Sequence, residues 1–417
     1  MIFYSDMRKG KTDSIALGEA HYSYMVPTNR ITRLFRRPHH ILHPEIFRES
    51  ILPMCYPNIT LAGSTPIHVA FRPFGHIRLL KGAINIAHIP WEFSNLQLIT
   101  RQGQLFDQLS LLRKLDEIWT PSRFSANILS RHLDIPVHFV PTPITSSDEE
   151  RCDFPPKCDL LAHLTAVPAL PLSLFFGVDN KSQHKSMIQP LQMYIRDLST
   201  TKTYILVANP GDWRKNLEKV LRGFVAFAER HDDVLLLIKL VIDNRATRLD
   251  NVQQDTILPK MLESISLRSK RIIFMSANLS VEELCQLYRI SDFYISISLG
   301  EGQNLPLLEA MGQGVVPVSV DHTAMADYIN SKNAFVIPSS PKKVFNPELS
   351  EYTEDGWIEA HDVTTSDYIN ALEASYYAST AEFYDKSRNA IKTVHSLYSD
   401  NAVRIYLSKT MAKDNLR

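Results

Sequence analysis

Two glutamates, Glu301 and Glu309, flank a strand-to-helix turn in the run Leu299-Gly-Glu-Gly-Gln-Asn-Leu-Pro-Leu-Leu-Glu-Ala-Met-Gly-Gln-Gly-Val-Val-Pro-Val318. The residues before it, 291–298, are rich in β-branched and aromatic side chains and read as a strand. Gly300 and Gly302 break that pattern, and Pro306 sits where a first helical turn tolerates proline. Leu305, Leu308 and Met311 then supply a helical apolar face. Such a turn aims free backbone N–H groups, here those of Gly302, Gln303, Asn304 and Leu305, at whatever lies above the sheet, together with the positive end of the helix dipole. That chemistry suits a diphosphate. Glu309 lies one turn inside, and helical side chains lean toward the N-terminus, so its carboxylate reaches back to the same place. The alternative is a solvated acidic loop with a dipole-compatible glutamate.

A second group is Asp212-Trp-Arg-Lys-Asn216, which reads as the opening of a helix over 214–230 with Asp212 as its N-cap. Arg214 and Lys215 then fall in the first turn, where each cation costs about 0.3–1 kcal/mol. An anionic ligand removes that conflict; a solvated basic helix end is the other reading. His88, Trp91 and Glu92 follow a strand at 83–87, at the sheet end where α/β proteins build their sites. His88 taken alone reads equally as a packed structural histidine. Lys239 lies in an apolar strand over 233–242 and must find a partner or lose its charge; a structural carboxylate is the expected partner and a diphosphate the alternative.

The elements that position these residues alternate in the second half. Strands are expected at 203–208, 233–242, 271–275 and 315–320, and helices at 214–230, 257–265 and 281–288, the last opened by Ser280 with Glu283 in the capping-box position. Repeated β-α units predict a parallel, doubly wound sheet. In the first half, strands are expected at 68–71, 83–87, 117–120 and 137–140, with a helix at 123–132. Nothing there matches Gly-x-Gly-x-x-Gly, which removes the usual fingerprint for NAD or FAD. On a helix within 28–43, Arg30, Arg33 and Arg37 form a basic stripe suited to anionic lipid or a phosphorylated acceptor, unless it is simply a solvated face.

A length of 417 residues suggests two domains or three, and 45 basic residues balance 45 acidic ones, which argues against a nucleic-acid protein dominated by phosphate contacts. The four cysteines are scattered without a Cys-x-x-Cys pair, which fits a reducing cytosol without structural zinc. No apolar run approaches membrane-spanning length.

In its full context the run 299–318 resembles the signature of the retaining nucleotide-sugar glycosyltransferases of family 4, which have the GT-B fold. The pieces Asn85-Ile-Ala-His-Ile-Pro-Trp-Glu92 and Glu117-Ile-Trp-Thr-Pro-Ser-Arg-Phe124 are similar to the N-terminal half of some of these enzymes, and the resemblance covers most of 68–145 and 203–330. It implies two Rossmann-like, doubly wound α/β domains facing a cleft, with a C-terminal helix crossing back. The implied division is an acceptor-side domain at 1–146, an inserted linker or subdomain at 147–200, a nucleotide-sugar domain at 201–385, and a returning helix at 386–417. It places Glu301 at the transferred sugar, Glu309 on the ribose, and Lys215 with Arg214 on the diphosphate. Ser276, Ala277 and Leu279 line the base pocket, and His88 and Glu92 lie beside the acceptor hydroxyl or the donor sugar. This chain departs from the family at Gln303 and Asn304, where an aromatic and a glycine are usual, and at Asn209, where many relatives carry arginine. The implied activity is metal-independent, cofactor-free, retaining transfer of a sugar from a nucleotide-sugar to a glycan or lipid-linked glycan. The implied setting is surface polysaccharide synthesis in the cytoplasm, with peripheral contact to anionic membrane through Arg30, Arg33 and Arg37 as an option. A GT-B-like nucleotide-sugar epimerase and a degenerate protein that only binds a glycan or a partner stay open.

Overall fold

The computed structural model describes residues 2–4, 22–35, 40–42, 66–72, 77–94, 96, 98–101, 104–145, 164, 167–171, 189–195, 198–241, 270–345 and 357–413. Its N-terminal half runs β1 (Ile2–Tyr4), α1 (Tyr22–Thr32), β2 (His40–Leu42), β3 (Ile67–Ala70), β4 (Ile84–His88), β5 (Leu98–Arg101), β6 (Gln104–Asp107), α2 (Gln108–Leu112), β7 (Glu117–Thr120), α3 (Arg123–His132) and β8 (Val137–Phe139). The C-terminal half contains β9 (Pro168–Pro171), β10 (Gln189–Pro190), β11 (Lys202–Ala208), α4 (Leu217–Ala228), β12 (Val234–Leu240), β13 (Ile272–Met275), α5 (Val281–Arg289), β14 (Phe293–Ser296), α6 (Leu305–Gly312), β15 (Val316–Ser319) and β16 (Phe335–Val336). A hairpin, β17 (Ser340–Phe345) and β18 (Trp357–Asp362), then leads to α7 (Thr365–Tyr376), α8 (Thr380–Tyr398) and α9 (Asp400–Lys413).

Each half builds one main sheet, parallel except for β9 and β10 at one edge of the C-terminal sheet. The N-terminal order is β2-β1-β3-β4-β7-β8, and the C-terminal order is β10-β9-β13-β12-β11-β14-β15-β16. Reading outward from β11, the strands β13-β12-β11-β14-β15-β16 follow the third-second-first-fourth-fifth-sixth order of a doubly wound nucleotide-binding sheet. The apolar run of β12 is buried at every position, as a strand covered on both faces must be. On one of those faces α4 buries Leu217, Val220, Leu221, Phe224 and Phe227 in the C-terminal core.

The structure revises several expectations. Asn216 takes left-handed angles (φ 54°, ψ 37°), so a short 3-10 turn, Trp213–Lys215, precedes α4 instead of continuing into it. Asp212 caps that turn, not the helix. Strands β9 and β10, both within 147–200, extend the C-terminal sheet antiparallel at its edge, so this segment does more than link the halves. The crossing back falls at Ser399, not near 386. Upstream of it, Ala390, Val394 and Tyr398 of α8 sit in the C-terminal core, whereas Val403 and Leu407 of α9 join Ile31, Val69 and Trp119 in the N-terminal core. α1 stops at Thr32, so Arg33 lies beyond the helix; Arg37 and the helix expected at 257–265 lie outside the described residues. Lys239 is fully buried, and its Nζ donates to the Leu240 carbonyl at 2.6 Å with no carboxylate partner among the described residues. Burial lowers its pKa to about 8. No helix among the described residues is long and apolar enough to cross a membrane.

Candidate functional site

In a doubly wound sheet, ligands bind beyond the carboxyl ends of the strands where the order reverses. Here that point lies between the neighbours β11 and β14. The chain leaves β11 for the turn bearing Lys215 and leaves β14 for the turn bearing Glu301. The two side chains meet there, Lys215 Nζ lying 2.6 Å from Glu301 Oε1, with exposures of 14% and 7%. Arg214 is equally committed. Its Nε and Nη2 donate to Asp212 at 3.0 and 2.8 Å, and its Nη1 lies 2.7 Å from Glu92 Oε1.

These contacts revise the electrostatic argument for Lys215 and Arg214. Neither cation strains against the α4 dipole, because Asn216 separates them from that helix and carboxylates neutralise both. Glu92, Asp212 and Glu301 together outnumber Arg214 and Lys215 in the cluster. Burial raises the pKa of Glu92, opposed by Arg214 and reinforced by Glu301. Burial acts to raise that of Asp212 as well, but Arg214 and Lys215 outweigh it and the net shift is downward. The guanidinium of Arg214 has its pKa raised well above the usual value, the carboxylates overcoming its burial.

The turn carrying Glu301 is gripped from both domains. Leu299 donates its N–H to the Arg214 carbonyl at 2.8 Å and accepts from the N–H of His361 at 3.0 Å. The Glu301 N–H donates to Thr323 Oγ1 at 3.1 Å, and its carbonyl accepts from Ala324 at 3.2 Å. The Gln303 amide reaches across to Thr142, accepting from its N–H and donating to its carbonyl. The N-terminal domain presses so closely that a Cβ on Gly300 would lie 2.7 Å from the Glu92 carbonyl oxygen, and one on Gly302 2.8 Å from Pro90 Cβ. Close approach, not positive φ, is what requires glycine at both positions. Asn304 (φ 61°) stands before α6 and donates from Nδ2 to Ser296 Oγ at 3.1 Å. The backbone N–H groups of Gly302, Gln303, Asn304 and Leu305 make no hydrogen bond among the described residues, which matches the donor row expected at a helix start.

Glu309 is buried in α6. Its Oε1 lies 2.6 Å from Arg30 Nη2, and its Oε2 accepts from Tyr288 Oη at 3.4 Å. It opens onto a recess whose apolar wall includes Leu279, Val281 and Leu284, lined also by Arg30 and Tyr288. Of the residues expected along a base pocket, only Leu279 lines this recess; Ser276 is exposed and Ala277 half-buried outside it. Ser280 and Glu283 form the expected reciprocal cap at the start of α5.

In the N-terminal domain the structure separates the three expected residues. His88 is buried, its Nε2 lies 3.0 Å from the Val140 carbonyl and its ring stacks on Phe71 at 5.0 Å. Burial lowers its pKa to about 4, against the Val140 contact, so the geometry makes it a packing residue. Trp91 is buried with Phe93, Ile128 and Ile358. Glu92 alone reaches the ion cluster. Arg30 is the main correction to the basic stripe: it turns inward to Glu309, while Arg33 is half-exposed and pairs with Asp400 at 3.4 Å. Sequence reasoning did not anticipate Arg30, Tyr288, Thr142 or Thr323 at the site. Only the clamp role of Asp212 left a local signal, an acidic residue two positions before Arg214.

Residues 203–351 match the family of glycosyl transferases group 1. An alpha,alpha-trehalose-phosphate synthase (UDP-forming) of Encephalitozoon cuniculi is 25% identical over 228 residues, 50% of this chain and 49% of that protein. The chain therefore spans about half the length of this curated relative. Sucrose-phosphate synthase from Thermosynechococcus elongatus aligns over 89% of this chain and 80% of its own, with a TM-score of 0.56 and 14% identity. An E. coli structure described as trehalose-6-phosphate bound with UDP-2-fluoro glucose aligns over 84% and 74%, with a TM-score of 0.50 and 13% identity. The fold is that of the GT-B proteins, two Rossmann-like α/β domains.

Proposed function

We propose that this chain is a retaining glycosyltransferase of the family 4 type, moving a sugar from a nucleoside-diphosphate sugar to a hydroxyl of a glycan or lipid-linked glycan. The observation that carries the reading is the meeting of Lys215 and Glu301 at the sheet's switch point, with Glu309 and its recess one turn inside the helix that follows. In this account Glu309 accepts from the ribose hydroxyls, and the apolar wall of Leu279, Val281 and Leu284 receives the base. The free N–H groups of residues 302–305 and the ammonium of Lys215 take the diphosphate. Departure of the diphosphate builds negative charge, which fixed donors and cations stabilise without reorganising. Binding requires Lys215 to exchange Glu301 for phosphate, and that frees the Glu301 carboxylate for the donor sugar.

Arg214 serves this arrangement indirectly. Its bonds to Asp212 and Glu92 orient Glu92 toward the cleft, where a carboxyl group can hold the acceptor hydroxyl. Retention needs no protein base if the acceptor attacks on the face the diphosphate leaves and the leaving phosphate takes its proton. No metal or cofactor enters this scheme, since protein cations and N–H groups carry the charge. Uracil is the proposed base, because a relative is named as UDP-forming and a similar fold holds UDP-2-fluoro glucose. We place the reaction in the cytoplasm, in surface polysaccharide synthesis, and omit the membrane contact because Arg30 faces the cleft.

Glu92 beside Glu301 also favours a second reading, an epimerase acting on the nucleotide-sugar through two carboxyl groups. Glu301→Gln tests the first. Transfer from UDP-sugars should fall about 100-fold or more, while UDP binds at least as tightly by calorimetry, since Lys215 no longer has to leave a carboxylate. Wild-type turnover in this variant would overturn the assignment. Epimerised donor appearing without any acceptor, followed by NMR, would favour the second.

A further inference from the structure

Among the described residues, three other than glycine adopt left-handed backbone angles: Asn216 (φ 54°), Asn304 (φ 61°) and Thr323 (φ 50°). All three adjoin the Lys215–Glu301 pair. Asn216 follows Lys215, Asn304 begins α6 three residues past Glu301, and Thr323 hydrogen-bonds to the Glu301 backbone. Asparagine tolerates this region because its side chain is short and polar. Threonine does not, because its branched Cβ crowds the backbone there. Thr323 is therefore the most strained of the three, and it is buried. Such strain persists only where the surroundings over-determine it, and it clusters at functional sites.

The strained conformation places one hydroxyl. Thr323 Oγ1 accepts from the Glu301 N–H at 3.1 Å and donates to the His322 carbonyl at 2.8 Å. The next residue, Ala324, donates its N–H to the Glu301 carbonyl at 3.2 Å. Both peptide groups of Glu301 are thus held from one strained turn. The flank of that turn is closed by His322, whose ring stacks on His361 at 4.4 Å with 16° between planes. His361 in turn donates its N–H to the Leu299 carbonyl. Relaxing Thr323 would disturb this stack and the start of the Glu301 turn together.

We propose that Thr323 is a positioning residue for Glu301: its left-handed backbone is tolerated because it aims a hydroxyl that fixes the direction of the Glu301 carboxylate. The catalytic part of this proposal rests on the transferase reading; the positional part does not. The test compares Thr323→Gly, Thr323→Ala and Thr323→Ser with the wild-type chain. Amide exchange at Glu301, read by NMR, should quicken about tenfold or more in the Gly and Ala variants and stay protected in the Ser variant. Thermal midpoints should not fall in the Gly variant, since glycine relieves the strain. With donor and acceptor present, kcat should fall about 10- to 100-fold in the Gly and Ala variants at a donor KM within about threefold, and the Ser variant should recover it. If the Gly variant does not fold, the Ala and Ser pair carries the comparison. Unchanged exchange at Glu301 in the Gly and Ala variants overturns the proposal whatever the activity. Faster exchange in a protein whose wild type transfers no sugar supports the positioning and rejects the transferase reading.

Discussion

At the scale of single residues, the cations of the site are held in place before any ligand arrives. A helix-end lysine without a partner would be dispensable for stability, but Lys215, partly buried, pairs with the buried Glu301 at 2.6 Å. Lys215→Ala should therefore destabilise the unliganded protein by about 3–5 kcal/mol, because it strands a buried carboxylate. Adding Glu301→Gln in the same chain should restore most of that loss, by urea unfolding. Catalysis should not return with stability: kcat/KM in Lys215→Ala should drop by about two to three orders of magnitude. A Lys215→Ala protein as stable as wild type would show that the pair contributes nothing. Arg214 makes the complementary point. Bound by both Asp212 and Glu92, it ties the C-terminal turn to the N-terminal domain.

At the scale of elements, the turn 299–304 shows what local sequence can and cannot say. Its glycines were readable as a break between strand and helix, but not as the place where another domain's backbone comes within contact. Gly300→Ala should press a methyl group into the Glu92 carbonyl and cost about 1–3 kcal/mol, with a matching loss of activity. A neutral outcome in unfolding and turnover assays would mean the domains accommodate it freely. Elsewhere the legible features were those written within one element. Ser280 and Glu283 cap α5, and the apolar runs at 203–208 and 271–275 became strands. The break at Asn216 was not legible, because asparagine is at home in both helical and left-handed backbone and its identity does not say which one the fold selects. Arg30 was misread for a related reason. Helical periodicity reports a face, whereas its partner Glu309 stands 279 positions away, and no local pattern encodes that pairing.

At the scale of the molecule, the two domains are joined by polar contacts across the cleft and by α9 docking on the N-terminal core. Arg30–Glu309, Arg214–Glu92 and Gln303–Thr142 all cross, and the Arg123 N–H donates to Asp327 Oδ2 at 2.7 Å. Buried histidines add a pH dependence. Burial lowers His68 and His88 to about 4 and His322 to about 3, from an ordinary 6.5. A depressed native pKa contributes stability that is present above the unfolded value and lost as pH falls toward the native one. Unfolding free energy should therefore drop from pH 7 to pH 5 by about 1–2 kcal/mol per histidine. Glu92 acts in the opposite sense, since its raised pKa favours the fold on the acid side. Replacing His322 with Asn should flatten part of the acid loss in chemical unfolding; an unchanged slope would mean that histidine does not titrate on unfolding.

The central claim is that the recess beside Glu309 receives the ribose of a nucleoside diphosphate, and calorimetry tests it directly. UDP titrated into the wild-type protein should bind with a measurable enthalpy. Glu309→Ala, folded by circular dichroism, should weaken that binding by about 1.5–3 kcal/mol, roughly 10- to 150-fold, through loss of a charged hydrogen bond to the ribose. Equal affinity in the two proteins, or no binding of any nucleoside diphosphate by the wild type, would contradict the account.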